Sequence, residues 1–429
     1  MSCRPTASSL ATSDLVQRES PSFASFVVIQ IFWMTLYSEA IFQVLGGIKA
    51  QGILLAIWLV LLLGFPKSGS LPAVRNLAQH GYELLFLAAF LIVNLLNMVV
   101  GRGSYDTTVK VVLLLIAYIT VVIHLRHDYR RYRQAAITML LVMGLIAVYD
   151  LPTMVMNPFI ARLYEFAPGE IQWFGSWGFF MPYAIALPVC FAVARTQRGW
   201  FKSVLYILIV SVVLLIIVST FAASIILTLM GLVGFLAFSI RRARTYLVIL
   251  VLAAVAVVAV TQFDWSEVPQ VGPMVVKITT IFTIDKSADI SDPNDPRVRA
   301  SLMERSVRSF VAHPLVGVGG AEAEKGYDLV GNHSGLVDSF AIFGILGFTW
   351  YLVFFGLRSK RLLDAFRTEP SNIIYQGRLL TAAAFTVGAL GNPIMFDVAM
   401  STIVFILAFS PIGPVASEII GANSPQAAL

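Results

Sequence analysis

Of five histidines in the chain, His333 is the one whose surroundings suggest chemistry: it follows Asn332 and stands immediately before a long apolar run. A neutral imidazole at such a boundary can take a proton from a sugar hydroxyl, a role that typically contributes about 10² to 10⁴ in rate. The plainer reading is a histidine that caps a helix or sits at an interface. It belongs to a polar stretch, Asp295 to Gly347, which reads through HPLVGVGG and GNHSGLVDSFAIFGILG and carries Arg297, Arg299, Arg305 and Arg308. Asp295-Pro296 is a helix start, and Pro314 disfavours helix at His313, so a helix of about four turns is predicted between them. At 100° per residue, Leu302, Met303, Val307 and Phe310 make one face and Arg297, Arg305 and Arg308 the other. Arg299 falls on the apolar face, where a cation needs an anionic ligand, a carboxylate such as Asp338, or room to snorkel. The opposite three arginines are either a solvated face or bidentate partners for phosphate oxygens. Gly317 and Gly319 allow the positive φ of a backbone concavity that holds phosphate, and equally that of an ordinary turn.

The elements that position these residues follow from composition. A chain of 429 residues that is 58% hydrophobic and 13% charged, with a mean hydropathy of +0.82, has too little polar surface for a water-soluble globule and is expected to be an all-α polytopic membrane protein. Apolar runs near 26–46, 52–65, 82–100, 107–124, 135–151, 174–194, 203–218, 222–240, 245–262, 336–356, 379–394 and 400–418 give about twelve spans of bilayer length. The run from Lys202 to Arg241 is too long for one helix and is broken at Ser219 to Ser224. The expected divisions are a tail at 1–25, spans at 26–262, one large external segment at 263–335, spans at 336–418 and a tail at 419–429. The polar start is not that of a signal peptide, so Phe26 onward is expected to be a retained span.

Basic clusters at 126–133, 195–202, 241–244 and 358–367 lie in alternate loops. By the positive-inside rule these loops and both termini face the cytoplasm, and 263–335 faces outward. The net charge of +6 is therefore a topology signal and not a nucleic-acid footprint. Cys3 lies in the polar tail and Cys190 inside a predicted span, so no disulfide or thiolate metal site is implied. Glu39, mid-way along the first predicted span, would cost on the order of 3 kcal/mol if ionised there and must be protonated, paired or facing a cavity. The aromatic group Trp173, Phe174, Trp177, Phe179 and Phe180 reads as an interfacial belt or as a stacking platform for sugar or polyprenyl groups.

The run from Arg299 through His313-Pro314-Leu315, Gly317 and Gly319, and then His333, Asp338, Gly344 and Gly347, resembles the O-antigen ligase and polymerase family of bacterial envelope glycosyltransferases. In that family an arginine begins a helix ending in HPL-x-G-x-G, and a histidine heads a span with an acidic residue and two glycines behind it. Beyond 299–347 the similarity is one of plan: many spans, with one large external segment late in the chain.

The resemblance implies an enzyme of the bacterial inner membrane that moves a glycan from an undecaprenyl-diphosphate carrier to an acceptor sugar hydroxyl, with no metal, cofactor or nucleotide sugar. His333 would be the base and Arg299 would hold the diphosphate and stabilise its departing charge. Arg297, Arg305, Gly317, Gly319, Asn332 and Asp338 would contribute to substrate binding. The implied partners are the lipid-linked donor, the sugar acceptor, membrane lipids, and flippase and chain-length-regulator proteins. Two departures stand out. Ser334 and Val337 replace the family's Asn and Leu, and the turn at 219–224 lacks the arginine of the family's Ser-Arg pair. A second cation would come from Arg297, Arg305 or Arg162. The missing Ser-Arg turn favours a polymerase of glycan repeat units over a ligase. The rival classes are a lipid-linked oligosaccharide flippase or secondary transporter, which usually carries its large loop inside at the midpoint, and a polyprenyl-monophosphate glycosyltransferase, for which the first external loop leaves no room.

Overall fold

The computed structural model is helical across the described residues, which are 23–64, 77–125, 128–156, 177–219, 221–239, 296–323, 329–331 and 333–411. The helices are α1 (Phe23–Tyr37), α2 (Glu39–Leu45), α3 (Ile48–Gly64), α4 (Gly81–Val99), α5 (Tyr105–Leu125), α6 (Tyr129–Met156) and α7 (Trp177–Thr196), then α8 (Gly199–Val218), α9 (Ala222–Ser239), α10 (Pro296–Ala312), α11 (Gly320–Ala323), α12 (Gly335–Thr368), α13 (Ile373–Gly391) and α14 (Val398–Leu407). Seven of these, α4 to α8, α12 and α13, are long and apolar enough to cross a membrane. Large apolar side chains lie on both sides of the helices: Trp33, Trp58, Tyr118, Phe348 and Phe354 are buried, while Ile53, Leu85, Ile92, Leu145, Ile207 and Val210 are exposed. A helix that is apolar all round is solvated by lipid on its outer face, and the bundle follows that pattern.

α7 is the central post. It carries Pro182 and Pro188 and packs against α6, α8, α9, α13 and α14. α12 packs against both α4 and α13, and α10 lies against it. An aromatic core of Phe90, Phe343, Phe348, Tyr351 and Phe396 locks α4 and α12 to the α13–α14 connection, with Tyr351 donating its hydroxyl to the Met395 carbonyl at 3.2 Å.

Several sequence expectations change. The first span is not one helix: α1 stops at Tyr37, and Ser38 caps α2 by accepting from the Ile41 amide. Glu39 is therefore the first residue of a short second helix and not the middle of a continuous one. The stretch 358–367, expected as a loop, is helical and extends α12 well beyond its apolar part. Of the expected loop 126–133, residues 129–133 likewise belong to α6. A continuous helix needs no apolar side chains once it leaves the bilayer, so hydropathy marks its end too early. The break between α8 and α9 falls within the predicted Ser219 to Ser224 stretch. The span expected at 245–262 lies outside the described residues, as do 1–22, 412–429 and the part of the external segment before Pro296.

Candidate functional site

α10 runs from Pro296 to Ala312, between the two prolines that bound it in the sequence. Its inward face differs from the expected one. Leu302, Ser306 and Ser309 are buried, spaced four and three residues apart, while Met303 and Val307 are exposed. Phe310 packs on Phe340 of α12 at 5.4 Å between ring centroids. A small separate core of Val318, Val330 and Ala341 has Phe310 and Ile342 packed against it.

The two serines hold the histidine loop. Ser306 donates to Asp338 Oδ1 at 2.6 Å and accepts from the Gly331 amide at 2.8 Å. Ser309 donates to the Leu329 carbonyl. On the other side of the loop, Asp338 Oδ2 accepts from the Ser334 amide at 2.8 Å, and Ser334 Oγ caps α12 by accepting from the Val337 amide. The Gly335 amide donates to the Asn392 carbonyl at 2.9 Å, tying the start of α12 to the α13–α14 connection. His333 is thus bracketed by Gly331, fixed to α10, and Ser334, fixed to α12. It is half-buried. Asp338, only 4% exposed, is the hub that joins α10, the loop and α12, because a buried carboxylate must be satisfied by donors.

A second set of backbone bonds seats the HPLVGVG turn. Gly344, with φ 62° and ψ −174°, interrupts α12 in a conformation that only glycine adopts readily. The interruption strands helix backbone groups on both sides, and inside a bilayer each must find a protein partner. The turn supplies them. Val318 and Gly319 donate to the Ala341 and Ile342 carbonyls at 2.8 and 3.0 Å, while Ile345 and Leu346 donate to the Pro314 and Leu315 carbonyls at 2.8 and 2.9 Å. Gly317 (φ 70°) and Gly319 (φ 89°) are left-handed here, and a Cβ on either would strike Ile342 or Arg102 backbone. Their amides are spent on the His313 and Ile342 carbonyls, so the glycines build a plug for the broken helix and do not present an open phosphate cradle.

The remaining candidates divide as follows. Arg305 is exposed on α10, and Arg308 is paired with Glu304 one turn earlier. Arg297 and Arg299 are in the first turn of α10, and their side chains, like Asn332 and Arg162, lie outside the described residues. By helical register Arg299 precedes Ser306 by seven residues, about two turns along the same side of α10. Ser306 and Ser309 escape a reading of the sequence, because their only signal is polar residues at helical spacing on an otherwise apolar face. So does Arg102, which is exposed in the α4–α5 turn and whose carbonyl accepts from Ala321 at 3.1 Å, bringing it beside the glycine turn. Of the aromatic group, Phe180 stacks on Phe221 inside the bundle and Phe179 meets Phe42 edge-on. These are packing contacts. Compared with protein-family models and with curated proteins, the chain matches none.

Proposed function

We propose that this protein is a polysaccharide polymerase of the bacterial inner membrane, related to the O-antigen ligases and polymerases. It transfers glycan repeat units from undecaprenyl diphosphate to an acceptor sugar hydroxyl at the external face. The observation that carries the reading is the bracketing of His333: a half-buried imidazole held between two hydrogen-bonded anchors at the head of a long apolar helix. A general base must be fixed within reach of its proton, and rigid neighbours supply that placement. The acceptor hydroxyl loses its proton to His333 as its oxygen attacks the anomeric carbon, and the bond to the diphosphate breaks. Arg299, on the helix packed against α12, takes the charge that appears on the departing diphosphate, with Arg297, Arg305 and Arg102 as further cations on the same end of the bundle. Asp338 acts through the loop and not on substrate.

The test is replacement of either residue. His333→Ala and Arg299→Ala each abolish glycan assembly while protein level and membrane insertion stay normal; an active, normally inserted double variant removes the assignment. Sizing of the lipid-linked glycans separates the two chemistries within the family. Single repeat units on the carrier mean a polymerase, and long lipid-linked chains without final attachment mean a ligase. Repeat units trapped on the cytoplasmic face would indicate a flippase.

A further inference from the structure

At the end of the bundle opposite His333, the start of α4, the late part of α12, the start of α13 and the residues after α14 enclose a cavity of about 180 Å³. Its wall is cationic. Arg358, Arg361 and Arg378 line it together with His80, and the acid paired with the first two is Glu83, fully buried behind the wall. Glu83 Oε1 pairs with Arg358 at 3.3 Å and also with Arg361. Arg378 has no acid partner among the described residues: its guanidinium donates to the Ala408 carbonyl at 2.8 and 3.0 Å and to that of Ser410, capping the end of α14. The wall thus carries three guanidinium groups and one carboxylate paired with two of them, and Arg358 and Arg378 are 4% and 5% exposed. Desolvated positive charge without a counterion is costly, and a fold keeps it where an anion arrives.

Two residues of the wall carry unmet donors of the kind an anion takes. Arg358 Nε and Ser410 Oγ are both buried without a hydrogen-bond partner among the described residues. A guanidinium edge and a hydroxyl are the donors that phosphate oxygens take, the former in fixed fork geometry. From Ile345, past the break, to Arg358 the helix alone rises roughly 20 Å at 1.5 Å per residue, so the cavity lies far along α12 from the histidine loop. It lies on the end where Lys360, Arg361 and Arg367 follow the apolar part of α12, the composition expected at a headgroup boundary. Basic pockets between spans at such a level bind lipid headgroups.

We propose that this cavity is a binding site for a phosphate-bearing anion, filled either by the headgroup of an anionic phospholipid or by free phosphate, and separate from the chemistry at His333. The full-length protein in phosphatidylcholine nanodiscs would be titrated with phosphatidylglycerol and, separately, with inorganic phosphate, with bound lipid counted by native mass spectrometry and phosphate binding read by calorimetry. Arg361→Gln changes a half-exposed side chain, and the pair Glu83→Gln with Arg358→Gln removes both partners of the buried ion pair and leaves the half-exposed Arg361 to solvent. Each is expected to weaken binding about tenfold through loss of charge-assisted hydrogen bonds. Retention of phosphatidylglycerol with no response to phosphate assigns the headgroup, and a response to phosphate assigns the free anion. Failure of wild-type protein to prefer either over phosphatidylcholine, or binding unaltered in Arg361→Gln, overturns the proposal.

Discussion

His333 is legible as a candidate because its type is rare and its place, between polar chain and apolar helix, is visible in the sequence. What holds it is not. Ser306 looks like filler in an arginine-rich helix until the fold brings Asp338 and Gly331 to it from 32 and 25 residues away. Long-range satisfaction of a buried carboxylate has no local pattern, so the hub escapes any reading by period or motif. At this scale the expected outcomes are graded. His333→Ala lowers the rate of transfer by about 10² to 10⁴, the usual contribution of a general base. Ser306→Ala strands the Gly331 amide and takes a donor from Asp338, which costs about 1–3 kcal/mol. In detergent it lowers the unfolding temperature and reduces glycan assembly without abolishing it. An unchanged melting temperature for Ser306→Ala would show that the hub does not support the loop.

Among the elements, the interrupted helix α12 and the turn that plugs it form one device, because each supplies the backbone partners the other lacks. Prolines at 296 and 314 delimit α10 in the sequence alone, since ring geometry acts locally. The break at Gly344 is hidden there: an isolated glycine in an apolar run does not announce a φ of 62°. Gly344→Ala forces a side chain into that conformation, at about 1–3 kcal/mol, and against the turn backbone as well. Gly356→Ala is the control, because a Cβ there meets nothing within 4 Å and the helix gains propensity. Thermal unfolding should show a clear loss for the first and no loss for the second. Equal behaviour of the two would mean that the plugged break is not a structural requirement.

For the molecule as a whole, composition already dictates a helical membrane protein, while hydropathy alone misplaces helix ends where Ser38 interrupts a span or charged turns prolong one. Arginine and lysine cluster around the starts of α6 and α8 and the end of α12, whereas α10 and the His333 loop lie at the other end. The positive-inside rule predicts that the histidine end faces outward. With Cys3 replaced and Cys190 buried, an impermeant maleimide added to spheroplasts is expected to label His313→Cys, and to label Arg367→Cys only after lysis; the reverse pattern would invert the topology and put the site on the wrong side for this reaction. The most direct test of the proposed function is to size undecaprenyl-linked glycans in cells whose only copy of the protein carries His333→Ala. Single repeat units piling up on the carrier, with long chains missing, is the predicted result. Long chains at the wild-type level, from a variant inserted normally, would contradict it.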